Sequence, residues 1–296
     1  MTDSYLLGLI GSGVTHSLTP ALHMRAARRL GLDYEYRTID LTPLGLPPEA
    51  VGDLLNSARR LGYDALNITV PCKELVLEHL DELDETAERL GAVNTVLFRD
   101  GQAVGHNTDV TGFATAMRTQ LAGESLETVL MIGAGGAGRA IADALLTLGC
   151  ERLMVLDIDD ARSRRVTREL SRRFPRSSVD ILRPGDLATA LPHISGMVNC
   201  TPIGMEGHPG TPIDADLIPT SRWVADIVYR PLQTALLGEA AARGCRTLSG
   251  GHMAVNQAID TFRLVTGLEP DAQTMLEHLA ELTADECPVP YAPSKP

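Results

Sequence analysis

Residues Val129–Gly149 read VLMIGAGGAGRAIADALLTLG, and this stretch decides the fold. An apolar run, Thr128–Ile132, ends in a turn with Gly133, Gly135 and Gly138 in GxGxxG spacing, and an alanine-rich helical pattern follows through Leu148. Glycines also collect in ordinary turns, so the spacing alone says little. A strand before it, a helix after it and an acidic residue about 20 positions on are the context that a dinucleotide site requires. Gly133 permits the tight turn, Gly135 lets the backbone approach a pyrophosphate, and Gly138 allows close helix–strand packing. Gly136 and Ala137 complete the loop, and the helix start offers free N–H groups and a positive dipole end to phosphates.

The acidic residue is Asp157, which closes the next strand in MVLDIDD. Its carboxylate is placed to accept hydrogen bonds from adenosine ribose hydroxyls. A helix-cap role fits Asp159 or Asp160 better. A carboxylate at Asp157 also opposes a 2′-phosphate: like charges about 4 Å apart repel by roughly 4 kcal/mol at an effective dielectric near 20, about a thousandfold in affinity. NAD is therefore favoured over NADP, with one reservation, since the guanidinium of nearby Arg162 could reach such a phosphate.

Outward from this turn the α/β rhythm continues. A helix (Gly112–Leu121) precedes it; a strand (Arg152–Leu156), an arginine-rich helix and short strands near Val179–Leu182, Gly196–Asn199 and Trp223–Val228 follow. This is the order of a Rossmann-type doubly wound dinucleotide-binding domain, expected over residues 110–249. Before it, Leu6–Ile10, Tyr34–Ile39, Ala65–Thr69 and Val93–Leu97 read as strands, and Pro20–Leu30, Pro48–Leu61 and Lys73–Leu90 as helices. Parallel sheets are expected in both parts. After Gly250 come helices only, His252–Val265 and Ala272–Leu282. With no strand to follow, they are expected to return to an N-terminal α/β substrate domain made of residues 1–109 and 250–296. The proline-rich tail CPVPYAPSKP is expected to be poorly ordered.

Composition bounds the function. The 296 residues are 44% hydrophobic and only 4% aromatic, so the core is built mainly from Leu, Val, Ile and Ala. A net charge of -12 argues against nucleic acid, because phosphate neutralisation needs clustered Lys and Arg. The arginine run RSRRVTRELSRRFPR (Arg162–Arg176) has helical spacing and reads as a solvated face. No apolar run approaches the roughly 20 residues of a bilayer span, and the N-terminus lacks a signal-peptide pattern. Cys72, Cys150, Cys200, Cys245 and Cys287 form no CxxC pair and read as free thiols in a reducing cytoplasm. The eight histidines show no close ligand pairing, so no metal is expected.

Polar residues gather where strands end. Asn67, Thr69 and Lys73 lie in LNITVPCKE, Asn94 and Thr95 in GAVNTV, and Asn107, Thr108 and Asp109 in GHNTDVTG. Any one could be a turn residue or a cap, and Thr108 or Asp109 is a plausible cap for the next helix. Their shared placement is what suggests a site, because open α/β sheets bind ligands at strand ends.

These segments carry a resemblance. SLTPALH (Ser17–His23), NITVPCKE (Asn67–Glu74), GAVNTV (Gly91–Val96), GHNTDVTGF (Gly105–Phe113), GAGGAGRA (Gly133–Ala140), NCTPIGM (Asn199–Met205), DIVYRP (Asp226–Pro231) and GGHMAVNQAIDTF (Gly250–Phe262) are collinear with the shikimate/quinate dehydrogenase family, which the chain resembles from Leu6 to Leu282. The resemblance implies two α/β domains around a cleft, with the last helices on the first. It implies Lys73 and Asp109 as the catalytic pair, Lys73 moving a proton as hydride passes between substrate and nicotinamide. It implies Ser17 and Thr19 at the substrate carboxylate, Thr69, Asn94, Asp109 and Gln257 at ring hydroxyls, and Tyr229 closing the site. Thr201, Val228 and Gly251 match positions along the cofactor.

Two departures are informative. NADP-using biosynthetic members carry Asn-Arg-Thr where this chain has Asp157-Ile158-Asp159, and Ser-x-Ser where it has Ser17-Leu18-Thr19. Both resemble the NAD-using quinate/shikimate branch. Cys72 beside Lys73 is a further variation, best read as a small packing residue. The expected ligands are NAD and a small ring hydroxy acid, shikimate or quinate. An NADP-dependent biosynthetic enzyme, an enzyme acting on an amino-substituted analogue and a non-catalytic sensor of the same ligands remain open. A homodimer is one arrangement the sequence permits, with no motif that fixes it.

Overall fold

The computed structural model describes residues 4–284; the tail and Cys287 lie outside them. The first part runs β1 (Ser4–Gly11), α1 (Thr19–Arg29), β2 (Asp33–Asp40), a one-turn α2 (Leu41–Leu44), α3 (Val51–Arg60), β3 (Ala65–Ile68), the short β4 (Glu82–Leu83), α4 (Glu85–Leu90), β5 (Thr95–Arg99) and β6 (Gln102–His106). The second runs α5 (Thr108–Gln120), β7 (Thr128–Ile132), α6 (Gly136–Thr147), β8 (Arg152–Leu156), α7 (Asp160–Arg173), β9 (Ser178–Ile181), a one-turn α8 (Leu187–Ala190), β10 (Gly196–Asn199), β11 (Trp223–Asp226), α9 (Ala235–Ala242) and β12 (Arg246–Leu248). Two helices close the described chain, α10 (Gly250–Thr266) and α11 (Ala272–Ala284).

The strands from the second part form one parallel sheet in the order β12-β11-β10-β7-β8-β9. The order reverses between β7 and β10, and ligands of doubly wound sheets bind outside the strand ends at such a switch point. Residues Val129–Ile132 of β7 are all buried, as a strand covered on both faces must be. One core joins α5, α6 and α7 to this sheet through Phe113, Ile141, Leu145 and Val166, and a second lies on its other face around Met197, Val224 and Leu237.

The other sheet has the order β2-β1-β3-β5-β6-β4 and departs from the all-parallel expectation. β5 runs antiparallel to both β3 and β6, and residues 100–101 join it to β6 as a hairpin. Phe262, Val255, Met275 and Leu279 from α10 and α11 share a core with Leu7, Leu22, Tyr34 and Leu97. The last two helices thus pack on the first sheet, and the chain has a two-domain α/β fold.

The expected helix Lys73–Leu90 is not continuous. A 3-10 stretch, Leu75–His79, ends where β4 pairs with Val104 and Gly105 of β6. The Asp84 side chain then accepts from Ala87 N and starts α4. Edge pairing and a cap override a locally helical pattern. α5 begins at Thr108 instead of Gly112, and its cap is Asn107, whose side chain accepts from Asp109 N and Val110 N, not Thr108 or Asp109. Asp159 caps α7 through Ala161 N and Arg162 N. β6, β12 and β4 are strands the sequence reading did not anticipate. Among the described residues no helix is long and apolar enough to cross a membrane.

Candidate active site

One cavity of about 450 Å³ lies between the domains, within the range usual for small-molecule sites. Ser17, Thr19, Thr69, Lys73, Asn94, Asp109, Tyr229 and Gln257 all line it, and Ala137 of the glycine-rich loop forms part of its wall. These residues come from both domains and from α10.

Lys73 and Asp109 meet on its wall. Lys73 Nζ donates to Asp109 Oδ2 at 2.5 Å, with 22% and 11% of the two side chains exposed. The other carboxylate oxygen accepts from Asn94 Nδ2 at 3.0 Å, and that amide also contacts Gln257 Oε1 at 3.3 Å. Asn94 Oδ1 accepts from Thr108 N at 2.8 Å, which fixes the amide's orientation. A carboxylate held at both oxygens keeps its plane, so Lys73 is presented in one direction. Behind the array, Asn67 Nδ2 donates to Asn94 O and to Thr95 Oγ1, and Asn67 Oδ1 accepts from Tyr36. Thr261 of α10 joins the same buried cluster. Asn67 stood out in the sequence as a polar residue at a strand end; Thr261 carried no local signal. Cys72 is fully buried in the apolar core of this domain, and burial raises its thiol's pKa.

The glycine-rich loop has the shape a pyrophosphate needs. Gly133 has a φ of 94°, and a Cβ on Gly138 would fall 2.2 Å from Gly133 O. Both glycines are therefore committed to the turn and to helix packing. Gly135 and Gly136 face open space, and no side chain caps α6. Free N–H groups at a helix start beside open space fit an anion. Asp157 Oδ2 accepts from Ala134 N at 2.6 Å, and Arg162 Nη1 lies 3.5 Å from the same oxygen. Ile158 is fully exposed. The residues present fit a nicotinamide dinucleotide.

At the ends of β10 and β11, Asn199 Nδ2 donates to Asp226 Oδ1 at 2.9 Å and Asn199 Oδ1 accepts from Thr201 Oγ1 at 2.7 Å. Asp226 also accepts from Val228 N and from Thr234 Oγ1. Burial raises the Asp226 carboxyl, only partly offset by these donors. This network ties the Thr201 and Val228 loops together. Gly251 is buried against Leu232, whereas its neighbour Gly250 lines the cavity.

A family model described as the shikimate dehydrogenase substrate binding domain matches residues 9–96. A shikimate dehydrogenase (NADP(+)) from Arthrobacter sp. (strain FB24) is 53% identical over 284 residues, 96% of this chain and 97% of that protein. The chain belongs to the shikimate/quinate dehydrogenase family. A second member, a quinate/shikimate dehydrogenase (NAD(+)) from Corynebacterium efficiens, is 44% identical over 92% of this chain and 96% of its own length. The solved structure of quinate dehydrogenase from Corynebacterium glutamicum in complex with NAD superposes with a TM-score of 0.90 at 42% identity, covering 95% of this chain and 100% of that one.

Proposed function

We propose that this member of the family oxidises shikimate to 3-dehydroshikimate and quinate to 3-dehydroquinate, with NAD as acceptor. The observation that carries the reading is the Lys73–Asp109–Asn94 array on the wall of a cavity that also holds Ser17, Thr19 and the start of the dinucleotide loop. A bound nicotinamide supplies the hydride acceptor. Lys73 takes the hydroxyl proton, a contribution typically worth about 10²–10⁴-fold. Asp109 orients Lys73 and the reacting hydroxyl, and Asn94 holds Asp109. The hydroxyls of Ser17 and Thr19 donate to the ring carboxylate.

The NAD choice rests on Asp157, whose buried carboxylate faces the glycine-rich loop where a ribose would lie, and on Ile158, which offers no charge to a phosphate. Use of NADP is the second reading. Arg162 beside Asp157 favours it, as does the 53% identity to a relative named for NADP. The deciding experiment measures kcat/KM for shikimate and quinate, each with NAD and NADP. Oxidation of both acids with NAD preferred is expected. A higher kcat/KM with NADP would overturn the cofactor assignment, no detectable quinate turnover would leave shikimate alone, and no turnover with any pair would sink the reading.

A further inference from the structure

The hydrogen bonds that orient Asn94 continue away from the cavity and reach the second strand. β2 reads DYEYRTID, and Tyr34 and Tyr36, two residues apart, are buried on one face of the sheet. Their hydroxyls go to different places. Tyr34 Oη meets His23 Nδ1 at 3.1 Å inside the core, whereas Tyr36 Oη donates to Asn67 Oδ1 at 2.6 Å. From Asn67 the bonds run toward the reacting groups. Asn67 Nδ2 donates to Asn94 O at 3.2 Å and to Thr95 Oγ1 at 2.9 Å. Thr95 Oγ1 in turn donates to Asn94 Oδ1 at 3.1 Å, and Asn94 Nδ2 donates to Asp109 Oδ1.

The Tyr36 hydroxyl sets the direction of this series. Burial raises its pKa, so it stays protonated and keeps a hydrogen to give to Asn67. An amide has two ends of opposite character, and the neighbours of Asn67 sort them. Asn94 O can only accept, so Nδ2 must face it, and Oδ1 then faces the tyrosine. Without the hydroxyl, Oδ1 loses its donor inside the core, and a buried acceptor left unpaired is costly. Asn67 also lines the cavity, so the amide has another course: it can turn its oxygen toward water there. That rotation takes Nδ2 away from Asn94 O and from Thr95, and it frees the Thr95 hydroxyl from its aim at Asn94 Oδ1. A buried polar network loses its single geometry when one member is left unpaired.

We propose that Tyr36 is a positioning residue for the reaction: by fixing the amide of Asn67 it holds Asn94, and through Asn94 the Asp109 carboxylate that presents Lys73. The inference rests on the ring-acid reading above and adds to it a residue that does not itself line the cavity.

The test is steady-state kinetics of the wild type, Tyr36→Phe, Tyr34→Phe, Asn67→Ala and the variant combining Tyr36→Phe with Asn67→Ala. The substrate is shikimate or quinate, with whichever of NAD and NADP the wild type uses faster. Each tyrosine substitution removes one buried hydroxyl from the same face of β2, so both should lower the denaturation midpoint. Only Tyr36→Phe is expected to reduce kcat, by about fivefold to thirtyfold, with KM for the dinucleotide changing less than about twofold. Tyr34→Phe should keep kcat within about twofold of the wild type. In the Asn67→Ala background, Tyr36→Phe should change kcat less than about twofold, because its effect passes through that amide. An unchanged kcat in Tyr36→Phe, an equal loss in Tyr34→Phe, or the full loss repeated in the Asn67→Ala background would each overturn the proposal. Wild-type protein that turns over no ring acid would overturn the functional reading and this inference with it.

Discussion

Gly112 on α5 lies directly against Gln257 on α10: a Cβ built at Gly112 would fall 2.7 Å from the backbone nitrogen of Gln257. The contact sets how closely the helix carrying Asp109 approaches the helix carrying Gln257. Both side chains converge on the amide of Asn94.

Gly112→Ala is therefore expected to push the two helices apart and loosen this convergence. Backbone lies on the other side of the contact, so the neighbour cannot rotate away. Overpacking of this kind costs about 1–3 kcal/mol. KM for the ring acid should rise along with the loss of stability. Unchanged kinetics together with an unchanged denaturation midpoint would show that the helices yield without consequence.

Lys73→Ala is expected to lower kcat by at least about 10²-fold with little change in the dissociation constant for NAD. The side chain meets Asp109 in the cavity, apart from the uncapped backbone N–H groups at the start of α6. A variant keeping half of the wild-type kcat would rule Lys73 out as the proton-transfer group.

Asp157→Ala removes both an acceptor for a ribose and a charge that opposes a 2′-phosphate. It also frees Ala134 N and the Arg162 guanidinium, which now face the Asp157 carboxylate. NAD should bind more weakly and the NAD-to-NADP ratio of kcat/KM should fall by about tenfold or more. A ratio that stays put would mean that Asp157 does not govern the choice.

The residues that proved legible in the sequence are those whose signal is local. The strand, turn and helix around Gly133 show in a single window, and the polar residues at strand ends, from Thr69 to Asp109, stand out against apolar flanks. The segment Lys73–Leu90 misled because its helical pattern is interrupted by β4, which pairs with a strand some 20 residues later. Arg139 and Asp143 on α6 gave no sign of their pairing with Glu74 and with Arg89 and Arg173 for the same reason. These partners lie 30 to 65 positions away, and a charged side chain looks solvated until the fold brings its partner to it. Asn199 and Asp226 sat within recognised motifs, but their pairing follows from the register of β10 against β11.

A last prediction concerns acid stability and rests on His23. The imidazole is fully buried among Tyr34, Tyr36 and Phe262, its Nδ1 lies 3.1 Å from Tyr34 Oη, and burial pushes its pKa down to about 3. It is neutral in the fold, whereas in the unfolded chain it takes up a proton near pH 6.5. The contribution is therefore complete above about pH 6.5, shrinks as pH falls, and is exhausted near pH 3. At pH 5 the loss from this residue alone is about 2 kcal/mol. Burial also lowers the pKa of His252 and His278, so they add to the wild-type slope with the same sign. Asp40 does not contribute in this window: hydrogen bonds from Thr15, Thr42 and Gly13 hold its carboxyl well below the usual carboxylate range. Denaturant unfolding at pH 7.5 and pH 5 separates the parts. His23→Gln should be less stable than wild type at pH 7.5, yet should lose about 2 kcal/mol less on going to pH 5. If both proteins lose the same amount between the two pH values, the buried neutral imidazole is not a source of the acid sensitivity.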